Sequence, residues 1–351
     1  MQVEELVVAG GGVIGLSCAW RAAQAGWHVT LCDPAPASGS SWVAGGMLAP
    51  VTEAWPGEEA LLDLGLEALA LWPGFAEELS AAAGQAAGLH AKGTVVAATG
   101  SGDRAELDAL AAHLATLGRP VERLTGRELR RLEPGLGPDV RGGLSVPGDL
   151  SVDNRALLAA LRAAAEKAGV VIEERAWAGE GPVLICAGAH SAALHPALSG
   201  LVRPVKGEIL RLGHRRGAFP LPTRTIRALV DGRPVYLVPR PDGLVVGATQ
   251  YEQGFDTDPS VGGVRDLLRD AERILPGVAE YALVEVAAGL RPGSPDNMPL
   301  IGRLDERTLV ATGHSRNGIL LAPLTAQLVT GLLAGEPAPA AVDPARFRED
   351  R

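Results

Sequence analysis

Gly10, Gly12 and Gly15 stand at G-x-G-x-x-G spacing directly after the apolar run Leu6-Val7-Val8-Ala9. That spacing serves nucleotide binding. Gly10 permits the tight turn, Gly12 lets a pyrophosphate approach the backbone, and Gly15 lets helix and strand pack closely. The helix that follows, from about Val13 to Ala25, offers free N–H groups to phosphate at its start, and Gly26 ends it as a left-handed cap. His28 to Cys32 reads as a second strand closed by Asp33, an acceptor for a ribose 2′-hydroxyl. With 45 glycines in 351 residues the trio alone is weak evidence, but strand, helix, cap and acid fall in order around it. Asp33 argues against NADP, whose extra phosphate it would repel. NAD and FAD both stay open.

A second glycine turn lies near the other end. In "LVATGHSRNGILLAP" (Leu309 to Pro323) a strand runs into Gly313, and a polar turn carries His314, Ser315, Arg316 and Asn317. A helix begins near Gly318. Its N-terminus would point N–H groups into the cleft. Flavin suits this, because its O2 carbonyl gains negative charge on reduction and a helix dipole stabilises that charge. A helix cap flanked by glycine accounts for the same residues equally well on their own.

The elements between these turns alternate in type. Glu58 to Ala83 is helical by periodicity, interrupted at Pro73-Gly74. Gly93 to Thr99 is a strand, Asp103 to Leu117 an amphipathic helix, and Leu124 to Leu132 a short basic helix with solvated charges. Ser151 to Glu174 gives a capped helix and a strand, and Pro182 to Ala192 is a buried strand running into Gly188. From Arg203 to Val246 the pattern turns to alternating strands, followed by a helix over Val261 to Leu275. Strands over Ala282 to Ala288 and Thr308 to Thr312 and a last helix over Ile319 to Leu333 complete the chain. The expectation is an α/β fold: a discontinuous Rossmann-type domain over 1–85, 145–200 and 286–351, with an inserted α+β domain built on an antiparallel sheet over 86–144 and 201–285. That layout suits a flavoprotein whose second domain roofs the flavin ring.

Composition narrows the class further. A formal net charge of −9 makes a nucleic-acid role improbable. Cys18, Cys32 and Cys186 fall inside predicted elements and read as buried small hydrophobes, with no disulfide framework. Seven histidines make no i, i+4 pair, so no metal is expected. The most apolar segment, Ile319 to Leu333, is shorter than the roughly 20 residues of a membrane span. The first strand starts within a few residues of Met1, so no leader and a cytoplasmic location are expected.

With "AGLRPGSPDNMPLIG" (Ala288 to Gly302) just upstream of the second turn, the chain resembles the glycine oxidase branch of the FAD-dependent D-amino-acid oxidase family. "GSSWVAGGMLAP", "VKGEI" and "YLVPRPDGLVVGAT" agree, and the resemblance runs from about Val3 to Phe347. It implies that the cofactor is FAD. It also implies that Val13 and Ile14 line the pyrophosphate turn, and that Asp33 with Pro34 takes the adenosine end. Ser40, Ser41, Gly45, Gly46 and Met47 would wrap the pyrophosphate and flavin, Gly188 would join them, and His314 to Leu320 (with Asn317, Gly318 and Ile319) would close around the ring. Arg291 would hold the substrate carboxylate, Arg316 would support it, Tyr236 would cap the pocket, and Gln250 would stand at its edge. A guanidinium matches a carboxylate bidentately, as an ammonium cannot.

The sequence departs from that pattern in three places. Ile172 and Cys186 are close together where the family places several strands, which puts a backbone contact to FAD in doubt. Gln250 stands where some glycine oxidases carry methionine, and Ser315 replaces a commoner aromatic. Covalent flavin is not expected, since Val43 follows Trp42 and the last cysteine is Cys186. The implied reaction is oxidative deamination of glycine or small D- or N-substituted amino acids to an imine and 2-oxo acid. O₂ would be the acceptor, peroxide a product, and the thiazole synthase of thiamine synthesis a functional partner. An oxidase of a larger N-carboxymethyl amine and a same-fold dehydrogenase with another acceptor are the alternatives, with a non-enzymatic nucleotide-binding module as the rival class. Oligomeric state is left open.

Overall fold

In the computed structural model, residues 4–179 and 181–347 are described. Two sheets face one another across a cavity. The first has six strands in the order Leu300–Arg303, Thr308–Thr312, Val183–Ile185, Glu5–Ala9, His28–Cys32, Val171–Glu173. All its pairings are parallel except that of Leu300–Arg303 with Thr308–Thr312. The run "TLVAT" is buried along its whole length, whereas in "ELVVA" one face is buried and the other passes from exposed Glu5 through half-buried Val7 to buried Ala9. The helices Val13–Gln24, Glu59–Ala83, Asn154–Lys167 and Gly318–Leu333 pack together on one side of the sheet and supply the larger core.

The second sheet has eight strands, in the order Ala282–Gly293, Arg203–Gly213, Gly243–Gly247, Arg233–Arg240, Thr225–Val230, Thr94–Ala98, Gly142–Val146, Glu122–Thr125. It is the expected antiparallel sheet, with one parallel pair, Thr225–Val230 with Thr94–Ala98. The expected segment edges shift. Strand Ala282–Gly293 stays paired with Arg203–Gly213 through its last residue, so the chain leaves this sheet after 293 and not at 286. At the other edge, Gly142–Val146 crosses the expected limit at 144. A third, small sheet of Met47–Leu48, Leu89–His90 and Leu150–Val152 was not expected.

Two local expectations are overturned by tertiary contacts. Helix Glu59–Ala83 runs unbroken through Pro73, although an interior proline costs about 3 kcal/mol. Trp72 and Phe75 are buried edge to face, and the Trp72 indole N–H donates to the Leu320 carbonyl at 2.8 Å; this packing offsets the lost bond. Leu124 belongs to a strand, and the helix begins only at Gly126, where Thr125 and Glu128 form a capping box. Its charges are not all solvated, for Arg130 donates to the carbonyls of Gly137 and Val140. Among the described residues no helix is long and apolar enough to cross a membrane, and no cluster of His, Cys, Asp or Glu could hold a metal ion.

Candidate active site

The cavity between the sheets has a volume of about 1160 Å³. At its nucleotide end the glycines do what their spacing requires. Gly10 has φ +116°, and a β-carbon on it would overlap the Cys186 carbonyl; one on Gly15 would overlap the carbonyl of Gly10. Gly12 meets only the Ser41 hydroxyl, at 3.2 Å from where its β-carbon would lie, so the backbone here is open to a ligand. Ser41 Oγ in turn accepts from the Val13 N–H at 3.1 Å. Asp33 accepts from Gly11 N–H at 2.5 Å and Ala35 N–H at 2.8 Å, so the acid also ties the glycine turn to the next loop.

The segment 40–47, a short helix over Ser40–Val43 that leads into the strand Met47–Leu48, is fixed from beneath. Asn154 donates to the carbonyls of Ser41 and Trp42, each at 2.8 Å, and Arg240 donates to the Gly45 carbonyl at 2.8 Å. Gly46 adopts φ +74° against the Val152 carbonyl. The second turn is equally constrained. Gly313 sits at φ +72°, Ser315 at φ +49°, and His314 lies buried with Nε2 3.0 Å from Thr325 Oγ1. Burial pushes the His314 imidazole down to about 3, so it is neutral at physiological pH.

At the far end, side chains of the second sheet converge. Tyr236 packs its ring between two glycines, for a β-carbon on Gly45 would stand 2.6 Å from it and one on Gly247 would overlap it. Burial raises the Tyr236 phenol above its ordinary value, against the opposing charge of Arg291. Arg291 lies over Gly207 and donates to the carbonyls of Lys206 and Thr249, at 3.4 and 3.3 Å. It has no carboxylate partner among the described residues. Arg227, directly opposite Tyr236 on the next strand, also lines the cavity and pairs with Glu53 at 2.6 Å. Arg316 pairs with Glu53 at 3.1 Å and Glu58 at 2.6 Å.

One wall is strapped in place by buried charge. Lys206 and Glu208 are fully buried; Lys206 reaches Asp256 at 2.5 Å and the Asp258 carbonyl, while Glu208 accepts from Ser260 N–H at 2.6 Å. These contacts hold the segment from which Gln250, Tyr251 and Thr257 face the cavity. Phe255 of the same segment stacks on His190, with ring centroids 4.9 Å apart.

A family model described as FAD dependent oxidoreductase matches residues 5–332. This chain belongs to that family. It is 34% identical to the glycine oxidase of Geobacillus kaustophilus, over 94% of this chain and 92% of that one. The crystal structure of glycine oxidase from Geobacillus kaustophilus superposes with a TM-score of 0.85 at 33% identity, covering 98% of this chain and 97% of the other. A bifunctional ThiO/ThiG protein of Trichormus variabilis is 32% identical over 94% of this chain, which spans about half (52%) of that relative.

The cavity fits the family's FAD. Its nucleotide end is a cradle emptied by glycine, and two helix N-termini, at Val13 and Gly318, open onto it. Val13, Ile14, Asp33, Pro34, Ser40, Ser41, Gly45, Gly46, Met47 and Gly188 all line it, as do Arg291, Tyr236, Gln250 and the turn from His314 to Ile319. Three expected lining residues do not. Leu320 turns into the helical core, and Gly15 and Gly313 shape turns without reaching the wall. The described residues of the short link after Val171–Glu173 form no strand before Val183, yet Ala176 and Trp177 from it do line the cavity. Sequence reasoning missed Glu53, Glu58, Arg227 and Gly207. Arg227 sits in an ordinary alternating strand, and Gly207 is the glycine of the "VKGEI" motif, to which no role was given.

Proposed function

We propose that this chain is an oxidase of glycine and of small D- or N-substituted amino acids, with FAD held non-covalently and O₂ as electron acceptor. Bound FAD supplies the hydride acceptor for the substrate Cα–H and hands the electron pair on to O₂, giving peroxide. The amine thereby becomes an imine, which water hydrolyses to a 2-oxo acid and ammonia, or the corresponding primary amine where the nitrogen is substituted.

The observation that carries this reading is the state of the four arginines that line the cavity, of which Arg233 is paired with Asp270. Arg227 and Arg316 are neutralised by Glu53 and Glu58, and Arg291 faces the cavity with carbonyl partners only. One uncompensated guanidinium suits one substrate carboxylate, held bidentately. Tyr236 then bounds the pocket beside it, and Gln250 stands at the exposed mouth. With His314 neutral, the Gly318 helix terminus would be the positive pole toward a bound flavin and would favour its reduced form. No residue is required as a base toward a neutral amine; the groups beside Arg291 and the second turn are already committed, Glu53 to Arg227 and Arg316 and His314 to Thr325. A relative that joins ThiO and ThiG in one chain supports the imine as a thiazole precursor, with thiazole synthase as functional partner.

The test is peroxide release over glycine, sarcosine, D-alanine and bulkier N-substituted glycines. Turnover of the small monocarboxylates is expected. Oxidation confined to amines without a carboxylate would overturn the reading.

A further inference from the structure

We infer that Glu53 sets the charge selectivity of the pocket, cancelling Arg227 and Arg316 so that amino acids with one carboxylate enter and those with a second anionic group are refused. The inference rests on the monocarboxylate oxidase reading above and adds a specificity-determining residue to it.

Glu53 bridges two arginines with separate oxygens: Oε1 lies 2.6 Å from Arg227 Nη1, and Oε2 lies 3.1 Å from Arg316 Nε. Glu58 Oε2 takes Arg316 Nη2 at 2.6 Å. The four side chains are 15–26% exposed, so solvent screens them little. Burial by itself would push the Glu53 carboxyl up, but Arg227 and Arg316 together hold it below the usual carboxylate range. The cluster is therefore two cations and two anions, net neutral. Arg227 uses Nη1 toward Glu53 and Thr52, and among the described residues its Nε and Nη2 have no hydrogen-bond partner. A second carboxylate reaching Arg227 would find that charge already spent on Glu53, and its desolvation would go unrepaid.

Removing the Glu53 charge reverses this. Arg316 keeps Glu58, whereas Arg227 becomes an open guanidinium on the face it shares with Tyr236. Asp149 is the remaining acid near Arg227; buried with Oδ2 on Thr52, it is pushed up to about 7 and holds its proton in mildly acidic solution.

The experiment titrates the FAD-loaded protein with acetate and with malonate at about pH 6.5 and reads the visible flavin spectrum; because the Glu53 charge is one of the causes that keep Asp149 protonated, wild type and variants are compared on an Asp149→Asn background as well. Wild type is expected to favour acetate. Glu53→Gln should shift the malonate-to-acetate affinity ratio toward malonate by about tenfold or more, and the double variant Glu53→Gln/Arg227→Gln should lose the gain. A wild-type protein that takes malonate as readily as acetate overturns the role of Glu53 even if the variant fails to fold. An unchanged ratio in flavin-loaded Glu53→Gln, or a gain that persists in the double variant, does the same. No peroxide from glycine, with acetate still preferred, would instead overturn the oxidase reading alone.

Discussion

The Cα of Gly207 lies against the guanidinium of Arg291, so closely that a β-carbon there would overlap Nη1, Nη2 and Cζ. A glycine in the strand Arg203–Gly213 thus sets where the arginine of the neighbouring strand can rest. Gly207→Ala should displace the guanidinium and leave the fold alone, because the atoms that must yield belong to the end of a flexible side chain. The expected result is a rise in KM for glycine and a fall in kcat/KM of roughly tenfold to a hundredfold, with FAD content unchanged. An unaltered KM would mean that Arg291 does not position substrate from this seat.

Arg291 itself is the sharper test. Loss of a bidentate ion pair is worth roughly 3–4 kcal/mol, so Arg291→Ala should lower kcat/KM by about 10²–10³. Arg291→Lys should restore only part, since an ammonium keeps the charge but not the fork. An amine lacking a carboxylate should be indifferent to either change. Glycine turnover at close to the wild-type rate in Arg291→Ala would remove the clamp from the mechanism.

These two residues also show what the sequence made legible. Proline and glycine flanking Arg291 in a recognisable stretch single it out in the sequence, and glycine spacing, apolar runs and a cap that agree within one short window mark the βαβ start. Arg227 and Glu53 lie 174 positions apart, and Arg316 and Glu53 lie 263 apart. No local pattern joins them; only the meeting of the two sheets does. The same cause explains the helix through Pro73, where Trp72, Phe75 and the Leu320 carbonyl outweigh a local break signal. Leu320 was assigned to the ring for its place in a motif, but a helical turn directs it into the core.

Asp33 ties the glycine turn together besides facing the nucleotide end. Asp33→Ala should weaken FAD binding by roughly tenfold to a hundredfold, the worth of one charge-assisted hydrogen bond or slightly more, and leave substrate preference alone. Reconstitution of apoprotein followed by flavin fluorescence measures this. The preparation of apoprotein is itself informative: acid should release all the flavin as free FAD. Flavin that stays with the denatured chain would exclude non-covalent binding, and an unchanged FAD affinity would reduce Asp33 to a strand end.

Two buried groups give the stability of the protein a compensated pH dependence. His314 is pushed down to about 3 from an ordinary 6.5, so between these values the unfolded chain binds the extra proton and stability falls on acidification. Asp149 is pushed up to about 7 from 3.8, so over much of the same range the folded chain holds the extra proton and stability rises on acidification. From pH 8 to pH 5 each contributes about 2–3 kcal/mol, with opposite signs. Urea unfolding of the wild type with saturating FAD should therefore vary little across that window. His314→Gln should become more stable on acidification, because only the Asp149 contribution remains, and Asp149→Asn should become less stable. Parallel pH profiles for all three proteins would show that neither group titrates differently in the folded and unfolded states.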